Sequence, residues 1–189
     1  MRLNFNVRKL CVLAVLAALS VVLAMFVRFP IFPTARYLEF DAGDVAILSA
    51  AFLYGPLPGV LVTLVVSLIQ GFGVSFADGG LWGILMHFVS TSFFCLVSGY
   101  LYRRRPTKAR SVFALVVGEI LTTVLMVPLN LIITPLHTGA TVEFVASMLV
   151  PIIIPFNLIK FSLNAALAFI LWRSLKLVLK KLWGESEVA

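Results

Sequence analysis

Long uncharged apolar runs constrain the fold of this chain more than any other feature of its sequence. The first extends from Leu10 to Val27 without a charged residue, and comparable runs recur as far as Trp172. A transmembrane helix needs about 20 mostly apolar residues, so this chain of 189 residues, 61% of them hydrophobic, has room for roughly five to seven spans. The runs are continuous and do not alternate with polar residues, which favours helices over barrel strands. We therefore predict an all-α integral membrane protein without a separate soluble domain.

We predict six transmembrane helices that form one compact domain over residues 1–189. The second is short and ends at the Gly55-Pro56 turn. The sixth is interrupted at Pro151 and Pro155, because proline removes a helical hydrogen bond and bends the helix. The basic start of the chain resembles a signal peptide, but no convincing cleavage site follows, so we interpret the first run as a span. The predicted spans cover about residues 10–27, 44–54, 57–72, 81–102, 111–134 and 144–172.

The distribution of charge predicts the orientation of these spans. With both termini in the cytoplasm, all of the 15 Lys and Arg residues except Arg28, Arg36 and Lys160 lie at the inner side, as the positive-inside rule requires. The net charge of +7 then reflects the anionic inner leaflet of a cell membrane, and no nucleic-acid partner is expected. Most acidic residues fall on the outer side, namely Glu39, Asp41, Asp44, Asp78 and Glu143.

Lys160, in the segment PFNLIK (155–160), is the residue that least fits its apolar surroundings. A charge at the centre of a bilayer costs about 2.5–3.5 kcal/mol on insertion scales. Lys160 lies about 12 residues, or roughly 18 Å of helix, from Trp172, which is too far for its stem to reach the inner surface. We expect it to face a polar cavity that opens outward or to pair with a carboxylate. Glu119 is a possible partner, although it lies nearer the cytoplasm.

Two asparagines and an outer loop extend this hypothesis to a pocket. Asn157 shares a helix face with Lys160, and Asn130 lies in the outer part of the fifth span; the alternative for both is interhelical hydrogen bonding. An outer loop with several large apolar groups is typical of a lid that packs down. Asp44 is expected to be the N-cap of the second helix, or a ligand contact. The loop segment itself reads Tyr37, Leu38, Glu39, Phe40 and Asp41.

The outer start of the fourth span contributes the remaining candidates, Trp82, Gly83, Met86 and His87. Trp82 has an alternative role as an interface anchor, and His87 an alternative role as a hydrogen-bonding residue of the bundle. An apolar, aromatic cleft with a few convergent polar groups suits a flat ring with a polar rim.

Motifs for catalysis, metal binding and nucleotide binding are not found in the sequence. It has no P-loop, HExxH or GxSxG, and Cys11 and Cys95 form no CxxC pair. We therefore predict no catalytic residues, no metal and no cofactor. A small membrane protein without a P-loop that moves a solute is expected to depend on another protein for energy.

Four segments resemble the substrate-binding (S) components of energy-coupling factor (ECF) transporters, and in particular the riboflavin-specific members. FLYGPLPG is shared by several vitamin-specific S components, and the combination of EFDAGD with PFNLIK is more specific for the riboflavin members. The resemblance extends over essentially the whole chain. The segments are YLEFDAGDVAILSAAFLYGPLPGV (37–60), YRRRPTK (102–108), VPLN (127–130) and PFNLIK (155–160).

The resemblance implies a non-enzymatic, six-helix protein of the plasma membrane that captures riboflavin from outside. Such proteins act with a transmembrane coupling subunit and two cytoplasmic ATPase subunits. Ala14 and Ala18 match a small-xxx-small pattern that contacts the coupling subunit in the family, with ordinary bundle packing as the alternative. The implied ligand contacts are Tyr37, Leu38, Glu39, Phe40, Asp41, Asn130, Asn157 and Lys160.

Two positions depart from the riboflavin-type pattern. Ala46 stands where many members carry proline, and Val66-Ser67 stands where many carry a Lys-Asn pair. Two alternatives therefore stay open. One is an S component for another vitamin, such as folate, thiamin or a cobalamin precursor. The other is a small intramembrane enzyme that uses Asp41, Asp44 and His87.

Overall fold

The computed structural model describes residues 6–33, 35, 38–74 and 80–184. Arg2, Arg36, Tyr37 and Asp78, which entered the predictions above, lie outside these residues. Two π-helical turns, Gln70–Val74 and Leu149–Ile153, follow α3 and α6. The elements in chain order are α1 (Val7–Phe26), β1 (Arg28–Pro30), β2 (Glu39–Asp41), α2 (Gly43–Tyr54), α3 (Pro56–Ile69), α4 (Gly80–Arg104), α5 (Lys108–Thr138), α6 (Val142–Met148) and α7 (Ile154–Trp183).

The described part of the chain is a predominantly helical membrane protein, as predicted. Five helical stretches are long and apolar enough to cross a membrane: α1, α3 with its π-helical turn, α4, α5, and α6 continued into α7. The predicted second span corresponds to α2, which has only 12 residues. At about 1.5 Å per residue it is roughly 18 Å long, shorter than the ~30 Å hydrocarbon core of a bilayer.

Helix α2 lies at the centre of the bundle, and every one of its residues is buried. It packs against α1, α3, α4 and α7. Its small residues, among them Ala50 and Ala51, allow such close approach of several helices. Opposite Ala51, α3 carries Gly59, where an added Cβ would lie 2.6 Å from the Ala51 Cβ. A larger residue at position 59 would therefore force α2 and α3 apart.

The turn between α2 and α3 is made by Gly55, whose φ of 107° disfavours residues with a side chain. Beside it, Phe52 stacks on Tyr102 with ring centroids 4.8 Å apart, and Trp172 meets Phe52 edge-on at 5.4 Å. Lys176 donates a 3.0 Å hydrogen bond to the Tyr102 hydroxyl. These aromatic and basic residues close one end of the bundle.

Both ends of the described chain meet at this same end of the bundle. The Arg8 guanidinium, near the start of α1, lies 5.9 Å from the ring centroid of Trp183, at the end of α7. The sequence analysis placed the end of the last span at about Trp172, but the final helix continues to Trp183. Its last turns carry Lys180 and Lys181, which suit the polar headgroup region.

A two-stranded hairpin lies at the opposite end, where α1 ends. β1 and β2 are antiparallel, with Phe29 opposite Phe40 and their rings 5.1 Å apart. Arg28 forms an ion pair with Glu39 across the strands. The sequence analysis predicted an apolar lid here but no strands, because each strand has only three residues and prolines are close by.

The predicted interruption of the last span occurs as a π-helical turn between α6 and α7. Pro151 lies within the turn, and Pro155 occupies the first turn of α7, where proline is tolerated. The side-chain amide of Asn157 donates to the Ile153 carbonyl at 2.8 Å. This break places the polar residues of α7 close to the hairpin.

Candidate ligand-binding site

A cavity of about 220 Å³ lies between the hairpin and the surrounding helices. Residues of α1, α3, α4, α5 and α7 line it together with the hairpin. An apolar lining with a few polar groups is typical of a small-molecule site. The apolar part of the wall comprises Ala24, Leu38, Ile84, Met86, Met126, Phe156 and Phe161.

Lys160 points into this cavity and forms an ion pair with Asp41 of β2. Its ammonium donates a 2.7 Å hydrogen bond to Asp41 Oδ2, and each side chain is only 15% exposed. The carboxylate thus offsets the cost of a charge at this depth. The predicted alternative partner, Glu119, is wrong: its carboxylate accepts instead from Ser162 at 2.6 Å.

Asp41 joins the hairpin to two helices. Its Oδ1 accepts from the backbone N–H of Gly43 at 3.1 Å, and its backbone carbonyl accepts from Asn164 at 3.0 Å. With the Lys160 ion pair, three contacts hold the end of β2 against α2 and α7. The hairpin is therefore fastened over the cavity through one residue.

A second cluster of polar side chains connects α2, α3 and α4. Asp44, which is completely buried, accepts from Thr91 at 2.9 Å and from His87 Nε2 at 3.1 Å. His87 Nδ1 lies 2.7 Å from the Ser67 hydroxyl. Because Nε2 faces a carboxylate, neutral His87 carries its proton there, so Nδ1 accepts from Ser67.

The predicted N-cap role of Asp44 is wrong. Ala42 occupies the N-cap position and Asp44 lies in the first turn of α2. Its carboxylate still lies at the positive end of the helix dipole, but it binds side chains of α4 and not the backbone of α2. The N–H of Gly43 is bound by Asp41 in its place.

Seven of the residues singled out from the sequence as ligand contacts meet at this cavity. They come from the hairpin segment, α4 and α7, which the sequence predicted to form the cover and wall of a pocket. The amide oxygen of Asn157 has no hydrogen-bond partner among the described residues, so it is available to a ligand. The seven are Leu38, Glu39, Asp41, Gly83, His87, Asn157 and Lys160.

Three other candidates do not line the cavity, and Tyr37 lies outside the described residues. Phe40 alternates with Glu39 and Asp41 along β2, so its side chain faces the opposite way, where it is buried against Phe29. Trp82 is 37% exposed on the outside of α4.

Asn130 is the third candidate away from the cavity. Its side chain is engaged within its own helix: the amide donates to the Met126 carbonyl at 2.8 Å, and its oxygen accepts from Thr134 at 3.0 Å. Met126 reaches the cavity from α5, and Asn130 does not.

Sequence reasoning missed the contribution of α3. Ser67, Gln70 and Gly71 all line the cavity. A signal was present, because Thr63, Ser67 and Gln70 follow one another at spacings of four and three residues. In an otherwise apolar helix, that spacing indicates a polar stripe on one face.

Two small residues of α1 lie on its outer face. Ala14 and Ala18 are exposed, whereas Leu13, Leu16 and Ser20 face the bundle. These alanines are therefore not used for packing within the described part of the chain.

Replacing Asp44 by alanine is expected to destabilise the protein strongly. The change leaves Thr91 and His87 without their buried partner, and losing such a partner costs roughly 3 kcal/mol. We expect the midpoint of thermal unfolding in detergent to fall by on the order of 5–10 °C. Glu143→Ala, at an exposed acidic residue of α6, is the matched control. Equal midpoints for the two variants would contradict a structural role for this network.

Comparison with known proteins gives the family to which the chain belongs. Residues 8–172 match the family model described as ECF transporter, substrate-specific component. The chain therefore belongs to the family of ECF transporter substrate-specific components, and the resemblance inferred from its sequence is confirmed.

The chain is also similar over most of its length to proteins named as riboflavin transporters. Riboflavin transporter RibU of Streptococcus thermophilus is 29% identical over 184 residues, covering 94% of this chain and 87% of that protein. Riboflavin transporter FmnP of Bacillus subtilis is 30% identical over 162 residues, covering 82% and 85%. A solved structure described as the S component of a bacterial ECF transporter is 29% identical, with a TM-score of 0.78. The match covers 92% of this chain and 98% of that one.

Proposed function

We propose that this chain is the riboflavin-binding S component of an ECF transporter. The observation that carries the proposal is the Lys160–Asp41 ion pair, which fastens the hairpin over a cavity with apolar walls. A buried charge of this kind inside a membrane helix usually marks a substrate site. Riboflavin is the vitamin that gives the relatives their names.

The cavity wall suits the chemistry of a flavin. The flat ring system has two large apolar faces, which match the side chains of Met86, Met126 and Phe156. Its polar edge carries carbonyl acceptors and an N–H donor. Lys160 supplies a donor and the amide oxygen of Asn157 supplies an acceptor, three residues apart on one helix face.

We propose that the chain crosses the plasma membrane with both termini in the cytoplasm. The contact between Arg8 and Trp183 supports this, because the start of α1 and the end of α7 share one end of the bundle. Basic residues surround that end, including Arg103 and Lys176, in keeping with the positive-inside rule. The cavity then opens to the outside, and α2 with its hairpin completes a sixth crossing.

Energy for uptake is proposed to come from partner proteins. A transmembrane coupling subunit would contact the exposed small residues Ala14 and Ala18 of α1, where helices can approach closely. Two cytoplasmic ATPase subunits would act through it. We propose no catalysis by the chain itself: Asp41 forms an ion pair with Lys160, and Asp44 is hydrogen-bonded to His87 and Thr91.

Protein purified in mild detergent from cells that make riboflavin is expected to be yellow. Mass spectrometry of the extracted ligand should identify riboflavin at close to one molecule per chain, because tight binding persists through purification. Extraction of folate, thiamin or another vitamin in that stoichiometry would instead identify a different S component. Colourless protein that no riboflavin addition stabilises against heat would contradict the proposal, since bound ligand raises stability.

A further inference from the structure

The wall of the cavity formed by α3 and α4 is chemically different from the wall formed by α7. On α7, the Lys160 ammonium can only donate hydrogen bonds. On the other wall lie the hydroxyl of Ser67, the carboxamide of Gln70 and the imidazole of His87. Unlike an ammonium, each of these groups has an acceptor atom.

Gln70 is the member of this wall without a protein partner. Its side-chain nitrogen is inaccessible to solvent and hydrogen-bonds to no other described residue. A buried amide left unpaired costs about 1–3 kcal/mol, so native proteins rarely keep one without a reason. Because Gln70 lines the cavity, a bound molecule is the group that can satisfy it.

The position of this carboxamide is tied to the hairpin. A Cβ built on Gly43 would come within 3.0 Å of Asp41 Oδ1 and 3.2 Å of Gln70 Nε2. The two side chains therefore flank the same backbone position at the start of α2. A ligand group bound by Gln70 would lie directly beneath the fastened end of β2.

Asp44, which does not line the cavity, holds His87 in place and through it Ser67. Asp44 fixes the proton of His87 on Nε2, and Nδ1 then accepts from the Ser67 hydroxyl. Ser67 thus keeps its oxygen lone pairs for a ligand. Thr91 holds Asp44 in turn at 2.9 Å, so the orientation of this wall is set by residues outside the cavity.

We propose that Ser67 and Gln70 form a polyol subsite that binds the hydroxyl side chain of the flavin, with His87 as the positioning residue for Ser67. The inference rests on the proposed function. Hydroxyls donate and accept at one atom, so a hydroxyl chain can donate to the Ser67 oxygen and accept from the Gln70 amide nitrogen. The ring edge, with separate acceptors and a donor, matches Lys160 and Asn157 instead. Specificity for riboflavin over a bare flavin ring would then come from α3.

The test compares two ligands that share the ring system. Riboflavin carries the hydroxyl chain, and lumiflavin carries a methyl group in its place. Dissociation constants for both are measured by flavin fluorescence in wild type, Gln70→Met and Ser67→Ala. Gln70→Met keeps the length of the side chain and removes only its polar atoms. Thr123→Val is the matched control, because Thr123 also has a buried, unpartnered polar atom but does not line the cavity.

The subsite predicts that Gln70→Met weakens riboflavin about tenfold and leaves lumiflavin within about twofold of wild type. Ser67→Ala should change the ratio of the two constants in the same direction, and Thr123→Val should leave it unchanged. A wild-type ratio in Gln70→Met would overturn the subsite, whether both ligands weaken equally or neither does. Wild-type protein that binds neither flavin would instead contradict the proposed function, so the two failures are distinguishable.

Discussion

Lys160→Met is expected to weaken riboflavin binding by about 100-fold. The variant loses a charged hydrogen-bond donor in a buried site, an interaction that contributes about 1.5–3 kcal/mol. It also removes the ion-pair partner of the Asp41 carboxylate and leaves the Asn164 hydrogen bond to hold the end of β2 against α7. Fluorescence titration of purified protein gives the dissociation constant directly.

Lys176→Met is the control for this prediction. Lys176 is on the same helix but lies at the other end of the bundle, against Tyr102 and Trp172. Its replacement should leave riboflavin affinity within about twofold of wild type. If Lys160→Met bound riboflavin as tightly as Lys176→Met, the cavity beneath the hairpin would not be the riboflavin site.

Ala18→Trp is expected to reduce riboflavin uptake by cells at least tenfold while riboflavin binding to the purified protein stays unchanged. Ala18 is exposed on α1 and faces away from the cavity. An indole at this position would keep the helix of a coupling subunit from close approach, since such contacts depend on small residues. Uptake is measured with radiolabelled riboflavin in cells that depend on this chain, and binding by titration.

Val124→Trp provides the matched control for the coupling face. Val124 is 61% exposed and lies on α5, not on α1. Its replacement should preserve both uptake and binding. Normal uptake by Ala18→Trp, or equal loss in both variants, would contradict a specific contact of α1 with the coupling subunit.

The helices were predictable because their physical signal is local. Continuous apolar runs bounded by charges and by turns such as Gly55-Pro56 gave α2 as residues 44–54, against Gly43–Tyr54 in the structure. The final helix was harder to bound. Beyond Trp172 it becomes amphipathic, so the hydropathy signal stops before the helix does.

The site was predictable only where a residue conflicted with its surroundings. Lys160 had to face a cavity or a carboxylate, but Asp41 lies 119 residues away in sequence, and no local rule selects it over Glu119. For Asn130, the sequence did not indicate that a polar residue in a span can hydrogen-bond within its own helix. Gln70 was overlooked because the polar stripe that it forms with Thr63 and Ser67 does not by itself show that this face lines a cavity.

Titration of the ligand-free protein with riboflavin, folate and thiamin tests the central claim most directly. We expect riboflavin fluorescence to be quenched saturably at one molecule per chain, with a dissociation constant below about 1 µM, and neither of the other vitamins to compete. The account would be contradicted if folded protein did not quench riboflavin fluorescence at a tenfold excess over that concentration. It would also be contradicted if folate or thiamin displaced riboflavin at equal concentration, because riboflavin would then not be the ligand of this cavity.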